Sequence, residues 1–214
     1  VGAHDEDRRS PEFSDTMEHM IVNPSWYVPR SIIINEYLPL LQENETSVEF
    51  LELRDDLGNV VERAEVDFNS FDAETFPYGM RQPPGTSNAL GLVKFMFPNR
   101  NNIYLHDTPA KNIFGHEVRA FSHGCIRLAD PFDFAYALLA VQSSDPKAEF
   151  KDALDYGEEV QIDLKNHIPV QHINRTAVTR PGGGLEFRRD IYGRDAKIWD
   201  ALQLEGLVLD DITG

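Results

Sequence analysis

Residues 91–107 read GLVKFMFPNRNNIYLHD, and the pattern in this stretch decides the class of fold. Two apolar runs, GLVKFMF and NIYLHD, flank a turn-forming PNRNN, which predicts two neighbouring strands joined by a short loop. Because side chains alternate along a strand, Tyr104 and His106 should share one face of the second strand. This face is the first candidate for a functional surface.

Strand-like and helix-like segments continue on both sides of this pair. We predict further strands at HMIVNP (19–24), VQIDL (160–164), PVQHINRTAV (169–178) and LEFRRD (185–190), with RPGGG (180–184) as a turn. We predict helices over 32–42 with Ser31 as cap and a kink at Pro39, over 131–142 with Asp130 as cap, over 147–155 and over 195–204. The predicted fold class is α+β, mainly β with peripheral helices.

Residues 36–84 differ in composition from the rest of the chain. The runs VEFLEL and VVERAEV flank the turn-rich RDDLGN, which predicts a hairpin, and FPYGMRQPPGTSN follows as a loop rich in proline and glycine. Acidic residues and turn formers are dense throughout this segment. We therefore predict that 36–84 is an inserted lid or capping segment rather than part of the main core.

Composition excludes two classes of partner. The 214 residues are 41% hydrophobic and carry a formal net charge of −16, whereas a nucleic-acid-binding surface needs clustered Lys and Arg. No apolar run reaches the roughly 18 residues that a membrane helix requires. We expect a globular domain that neither binds nucleic acid nor spans a bilayer within this chain.

The chain has a single cysteine, Cys125, in the stretch FSHGCIRLADP (121–131). A lone cysteine is ordinarily a small buried hydrophobe, but this one follows Gly124, where the backbone can approach a ligand closely, and precedes a predicted helix start that favours an anion. His106, His123 and Arg127 could assist a thiolate. These features predict a nucleophilic thiol.

Two other interpretations remain open at this point. Five residues are of types that ligate metals, which allows a metal-dependent hydrolase, although the sequence has no His-Glu-x-x-His motif and no second cysteine. They are His106, Asp107, His116, His123 and Cys125. The other alternative is a catalytically inactive binding module, which would have no need of a thiol.

The segments IYLHDT (103–108) and SHGCIRL (122–128) resemble the signature of the L,D-transpeptidase family, the YkuD catalytic domain. Three longer stretches, IVNPSWYVPRSI, RQPPGTSNALGLVKFMFPN and IYLHDTPAK, resemble its large, lid-bearing, YcbB-like branch. The resemblance covers about residues 13–178. It implies a catalytic domain over 1–178 with a β-sandwich or barrel-like core, first strands upstream of Val1, and a C-terminal extension over 179–214 packed on that domain.

Matched position by position, the resemblance assigns the catalytic roles. Cys125 becomes the nucleophile and His106 the base that takes its proton. The backbone carbonyl of Ser122 would orient the imidazole, and the amides of His123, Gly124 and Cys125 would form the oxyanion hole. His123 could also act as a second acid or base, or be a structural residue beside a tight turn.

The resemblance also suggests substrate-binding residues, each with a structural alternative. Arg127 would hold a peptide carboxylate with its guanidinium fork, or it would pair with Asp107 or Asp130. Tyr104 and Trp26 would line the pocket for the peptide stem, or they would pack in the core.

The function that the resemblance implies is acyl transfer in the bacterial cell wall. A periplasmic or otherwise exported enzyme would cleave a tetrapeptide stem of peptidoglycan, release D-Ala and pass the acyl group to the side-chain amine of another stem, giving a 3→3 crosslink. Carbapenem β-lactams would be inhibitors. No metal or organic cofactor is implied.

Overall fold

The computed structural model describes residues 1–206, so residues 207–214 of the predicted C-terminal extension lie outside the described part. The strands are β1 (Phe13–Val22), β2 (Trp26–Tyr27), β3 (Glu52–Arg54), β4 (Val60–Val61), β5 (Gly79–Gln82), β6 (Val93–Met96), β7 (Leu105–His106), β8 (Ile126–Arg127), β9 (Val160–His172), β10 (Ala177–Thr179) and β11 (Leu185–Phe187). The α-helices are α1 (Arg30–Ile32), α2 (Leu38–Glu43), α3 (Pro131–Leu139), α4 (Pro146–Asp155) and α5 (Arg194–Leu204). A π-helical turn spans Ile33–Tyr37, and 3₁₀ turns span Glu6–Arg8, Arg63–Glu65, Phe68–Ser70 and Lys111–Gly115.

The main sheet has five strands in the order β8-β7-β6-β1-β9. Strand β1 lies between β6 and β9 and is antiparallel to both, and the site-bearing pair β7 and β8 is parallel at the opposite edge from β9. Helices α3 and α4 contribute to the core under this sheet through Leu139 and Phe150, which are fully buried with Met20 and Phe95. This confirms the α+β class, and within the described residues the sheet stays open rather than closing into a barrel.

A second, four-stranded sheet has the order β2-β5-β3-β4 and its own hydrophobic core. Leu41, Leu53 and Phe76 are among its buried side chains. Most of this unit falls within the predicted insertion of 36–84, but β2 and the buried Ile32 precede that segment. The unit with the second core therefore begins about ten residues earlier than composition alone indicated.

Strands β1 and β9 run longer than the sequence predicted. β1 begins at Phe13, six residues before the predicted start at His19, and β9 is one strand of 13 residues where we predicted two. The reason is mutual pairing, since β1 and β9 form an antiparallel ladder along their length, with a register shift between Met17 and His19. Polar positions that look like a break in the sequence are exposed residues of a continuous ladder.

The first predicted helix also differs in detail. It begins at Arg30 with Pro29 in the capping position, so Ser31 lies inside the helix instead of capping it. The predicted kink at Pro39 takes the form of the π-helical turn directly before α2. Proline has no backbone N–H, so the helix lacks one hydrogen bond to the preceding turn. A wider, π-helical turn accommodates the missing hydrogen bond.

The remaining predicted helices and the hairpins are confirmed. Asp130 occupies the position before α3 as predicted, although its side chain makes no capping hydrogen bond. Strands β3 and β4 flank the predicted turn, and β10 and β11 flank RPGGG. No helix among residues 1–206 is both long enough and apolar enough to cross a membrane.

Candidate active site

Three strands place a basic residue each in one row across the sheet. Lys94 on β6 is the antiparallel partner of His106 on β7, and His106 is the parallel partner of Arg127 on β8. Residues paired across neighbouring strands project from the same face of a sheet. The imidazole of His106 therefore lies between two cationic side chains.

The thiol lies on the same face as this row, two residues before Arg127. Cys125 directly precedes β8, and the amide of the next residue, Ile126, donates to the carbonyl of Tyr104 at 3.1 Å. The ring of Tyr104 contacts that of His106 edge-on, with ring centroids 5.8 Å apart, which confirms that the two share a face. Cys125, Tyr104, His106 and Arg127 are thus brought together by the pairing of β7 and β8.

His106 is held as a neutral base. Its side chain is 4% exposed, and burial lowers the pKa of the imidazole from 6.5 to about 4. Ring atom Nδ1 hydrogen-bonds the backbone carbonyl of Asp107. Because a carbonyl can only accept, Nδ1 carries the hydrogen and Nε2 is left with a free lone pair.

This arrangement corrects the predicted role of the Ser122 carbonyl. That carbonyl accepts the amide of Ala3 at 2.9 Å, where residues 1–3 run alongside the loop, and it is not the group that orients the imidazole. The carbonyl that does so belongs to Asp107, the residue next to His106 in the chain. This hydrogen bond joins neighbouring residues, so it does not depend on a distant segment of the chain folding against the site.

Asp107 is itself fixed by its carboxylate. The side chain accepts the ammonium of Lys111 at 2.6 Å and the backbone amides of Thr108 at 2.7 Å and Leu92 at 3.0 Å. Gly91, with φ +62°, lies so close that a Cβ there would come within 2.3 Å of the carboxylate. The carbonyl that holds His106 is therefore anchored on three sides.

The Cys125 thiol rests in its neutral form. Burial raises its pKa, against the opposing effects of hydrogen bonding from Tyr104 and the charge of Arg127. The sequence predicted that nearby basic residues and a helix start would assist a thiolate, whereas the chain enters β8 directly after Cys125 and α3 begins only at Pro131. Neutral thiol and neutral imidazole are consequently the resting pair.

The loop carrying the thiol is organised by the hydroxyl of Ser122. This hydroxyl donates to the carbonyl of Cys125 at 2.6 Å and accepts the amide of Gly124 at 3.1 Å. Gly124 needs a positive φ of 119°, and a Cβ there would come within 2.9 Å of Ile103. Ser122 thus acts through its side chain, by closing the turn around the nucleophile.

Two of the three predicted oxyanion-hole amides are free. The amide of Gly124 is engaged by Ser122, which corrects its predicted role. Among the residues that the structure describes, the amides of His123 and Cys125 have no hydrogen-bond partner. These two N–H groups are the ones able to receive an oxyanion beside the thiol.

Ser10 and Tyr192 support this loop and were missed by sequence reasoning. The Ser10 hydroxyl accepts the amide of Gly2 at 2.8 Å and donates to the carbonyl of Gly124 at 2.6 Å. The Tyr192 hydroxyl donates to the Gly2 carbonyl at 2.8 Å. Both side chains are buried, and neither stands in a motif that would have marked it.

His123 points to the second unit rather than to the thiol. Its Nε2 lies 2.7 Å from the Glu36 carboxylate, which also accepts Arg8 at 2.8 Å. Glu36 lies in the π-helical turn at the start of the predicted lid. One carboxylate therefore connects the lid segment, the nucleophile loop and the N-terminal segment.

Arg127 and Trp26 have different environments. The Nε of Arg127 is buried and has no hydrogen-bond partner in the described part of the chain, where neither Asp107 nor Asp130 forms the alternative ion pair. Trp26 lies on β2 and packs against the second core, with its ring edge-on to Tyr37 at 6.4 Å. The structure places Arg127 beside the nucleophile on the sheet face and Trp26 against the second core.

The candidate metal ligands do not converge. Within residues 1–206, no group of three or more His, Cys, Asp or Glu side chains is arranged to hold a metal ion. His116 is exposed and contacts Phe121, with ring centroids 5.4 Å apart.

A cavity of about 590 Å³ lies next to the nucleophile loop but does not include the thiol. It is lined by residues 117–119, by residues 172–175 and by the C-terminal hairpin and Tyr192. The nucleophilic and basic groups lie together on the sheet face, so the chemistry belongs there rather than in this cavity.

An α+β domain with a thiol and a neutral histidine on one face of its sheet is suited to acyl transfer, and comparisons with known proteins identify the family. The L,D-transpeptidase catalytic domain, YkuD, matches residues 1–162. The chain belongs to this family. A Haemophilus influenzae protein, provisionally named an L,D-transpeptidase, is 31% identical over 204 residues, or 92% of this chain. The chain spans 41% of the length of that relative.

Proposed function

We propose that this chain is the catalytic part of a peptidoglycan L,D-transpeptidase and that Cys125 is its nucleophile. The observation that carries the proposal is the placement, on one sheet face, of a neutral thiol and a buried neutral imidazole whose Nε2 is free, next to two unpartnered amides. Membership of the family supports the reaction class. We further propose that the enzyme works in the periplasm or outside the cell, where its substrate is found.

In the first step the thiol attacks the carbonyl that precedes the terminal D-Ala of a tetrapeptide stem. As the S–C bond forms, the Sγ proton passes to Nε2 of His106, and the negative charge on the carbonyl oxygen is met by the amides of His123 and Cys125. The C–N bond then breaks, and Nε2–H returns the proton to the departing amine of D-Ala. A thioester on Cys125 and a neutral His106 remain.

In the second step His106 carries a proton in the opposite direction, from the attacking amine to the sulfur. The side-chain amine of another stem attacks the thioester and gives up a proton to Nε2 of His106. The C–S bond breaks, and the thiolate recovers the proton, which regenerates the neutral pair. The product is an amide between two stems, a 3→3 crosslink.

The neutral resting pair has a consequence for this mechanism. A thiol whose pKa is raised and an imidazole whose pKa is about 4 do not exchange a proton in the absence of substrate. Transfer of the proton therefore accompanies attack on the bound carbonyl, where the oxyanion amides compensate the charge that develops. Such a thiol is protected from adventitious reaction between turnovers.

Substrate binding is proposed for Arg127 and Tyr104. Arg127 offers a guanidinium whose Nε has no protein partner, which suits a carboxylate of the peptide stem. Burial, followed by the nearby thiol, raises the pKa of the Tyr104 hydroxyl, so this group stays protonated and can donate a hydrogen bond. Carbapenems present a strained amide to the same thiol and should acylate it.

The unit with the second core is proposed to act as a lid that shields the thioester from water. Its support is the contact through Glu36, which joins the start of the lid segment to His123 on the nucleophile loop. Closing water out would favour the amine acceptor over hydrolysis.

The test is incubation of purified protein with tetrapeptide muropeptides, followed by mass spectrometry of the products. We expect release of D-Ala and formation of 3→3 dimers by the wild-type protein. Cys125→Ser should retain less than a tenth of that rate, because a hydroxyl is far harder to ionise than a thiol. Lys151→Gln, a change at an exposed residue on α4, is the matched control and should behave as wild type. Crosslinking by Cys125→Ser at wild-type rate would refute the thiol mechanism.

A further inference from the structure

Lys94 is a second cation on the catalytic face that the proposed reaction does not yet use. It is the cross-strand partner of His106, on the side away from Arg127. Its ammonium lies over the ring of Tyr104, 5.9 Å from the ring centroid. Lys94 therefore lies within the site, next to His106 and Tyr104.

Within the part of the chain that the structure describes, the Lys94 ammonium makes no ion pair and no hydrogen bond. Burial lowers the pKa of the ammonium, and the negative charge of the Glu159 carboxylate opposes that effect without forming an ion pair. That carboxylate accepts the amide of Ser25 at 2.7 Å. The cation is partly buried, and no carboxylate among the described residues is in ion-pair contact with it.

Removing a charge from water without an ion-pair partner costs free energy. An anion that binds to the Lys94 ammonium would offset this cost, which favours binding. Arg81 on β5 is different, because it pairs with Glu52 at 2.9 Å. Lys94 and Arg127 are the two site cations left for a ligand. Two cations flanking His106 fit a substrate with more than one carboxylate.

We propose that Lys94 is a specificity-determining residue whose ammonium binds the terminal carboxylate of the donor peptide, on the side of His106 opposite Arg127. This inference rests on the proposed function. The bond that breaks is the last peptide bond of the donor, so the terminal carboxylate belongs to the residue next to the attacked carbonyl, with consecutive Cα atoms about 3.8 Å apart. A cation that is to hold it must lie on the same sheet face as the reacting groups, as Lys94 does through its pairing with His106 and its position over the Tyr104 ring. Arg127 remains available for a carboxylate within the stem.

The first test does not depend on turnover. Cys125, the sole cysteine, is alkylated with iodoacetate, which is anionic, and with iodoacetamide, which is neutral, and the ratio of the two rates is measured. The same thiolate attacks both reagents and displaces iodide from each, so the ratio reports the local charge and not the thiol pKa. In Lys94→Gln the rate with iodoacetate divided by the rate with iodoacetamide should fall about five-fold, as expected for the loss of one unit charge several ångströms away. Lys94→Arg and the surface control Lys151→Gln should keep the wild-type ratio, and an unchanged ratio in Lys94→Gln would overturn the proposal.

The second test compares a tetrapeptide donor with the same peptide carrying a C-terminal amide. We expect wild type and Lys94→Arg to prefer the free acid, and Lys94→Gln to lose that preference mainly through a higher KM. If Lys94→Gln keeps the preference and Arg127→Gln loses it, Arg127 holds the terminal carboxylate and the proposal is wrong. If wild type uses neither donor, the proposed function fails, and Lys94 is then judged by the alkylation ratio alone.

Discussion

Replacing His106 by glutamine should make the folded protein less sensitive to acid. Burial lowers the pKa of His106 from 6.5 to about 4. Between these two values the unfolded chain binds a proton at this residue that the folded chain does not bind. Stability is therefore complete above pH 6.5 and is lost as the pH falls towards 4.

The size of the loss follows from the shift. One pKa unit corresponds to about 1.4 kcal/mol, so lowering the pH from 7 to 4.5 should remove about 2 kcal/mol through His106 alone. Glutamine does not titrate, so the His106→Gln variant should lose about 2 kcal/mol less than wild type over that interval. Titrating carboxylates elsewhere contribute equally to both proteins and cancel in the difference.

The assay is urea unfolding at pH 7 and at pH 4.5 for wild type, His106→Gln and the control His116→Gln. His116 is exposed, so its variant should follow wild type. The comparison uses the change with pH, and it remains valid if the substitution alters stability at both values. An equal loss of stability in wild type and His106→Gln would show that the imidazole is not held neutral, and the resting pair proposed above would be wrong.

Three further changes test the supports of the site. Gly91→Ala should cost more than about 2 kcal/mol in urea unfolding, because the residue has φ +62° and its new Cβ would collide with Asp107; a cost below about 1 kcal/mol would contradict this packing. Tyr104→Phe should raise the pKa of Cys125, seen as an upward shift in the pH midpoint of iodoacetamide alkylation, and an unmoved midpoint would remove the hydroxyl from the thiol's surroundings. Shortening the turn at residues 55–59 should increase hydrolysis relative to transfer, whereas an unchanged product ratio in the folded variant would exclude a lid function.

The strand pair around the site could be predicted from sequence because its signals are local. The alternation in residues 91–107 gave the shared face of Tyr104 and His106, and the turn residues gave both hairpins. The lengths of β1 and β9 could not be predicted, because each strand is extended by the other across a long sequence separation.

The contacts that support the site could not be predicted from the sequence for a different reason. Ser10 and Gly124 are 114 residues apart and meet through one hydroxyl, and a lone serine in a polar segment carries no periodic signal. The choice between the carbonyls of Ser122 and Asp107 depends on the direction of one ring, which sequence does not specify. The raised pKa of Cys125 could not be predicted, because sequence displays neighbouring charges but not burial, which is the larger effect here.

The central claim is that Cys125 is the acylated nucleophile, and incubation with a carbapenem tests it most directly. The thiol should open the β-lactam to a thioester, with the proton of Sγ taken up by His106 and the oxyanion met by the loop amides. Intact-protein mass spectrometry should show one added drug mass, and peptide mapping should place it on the peptide containing Cys125. His106→Ala should react much more slowly and Cys125→Ala not at all. A folded wild-type protein that remains unmodified after prolonged incubation with excess carbapenem, or that carries the adduct on another residue, would contradict the account.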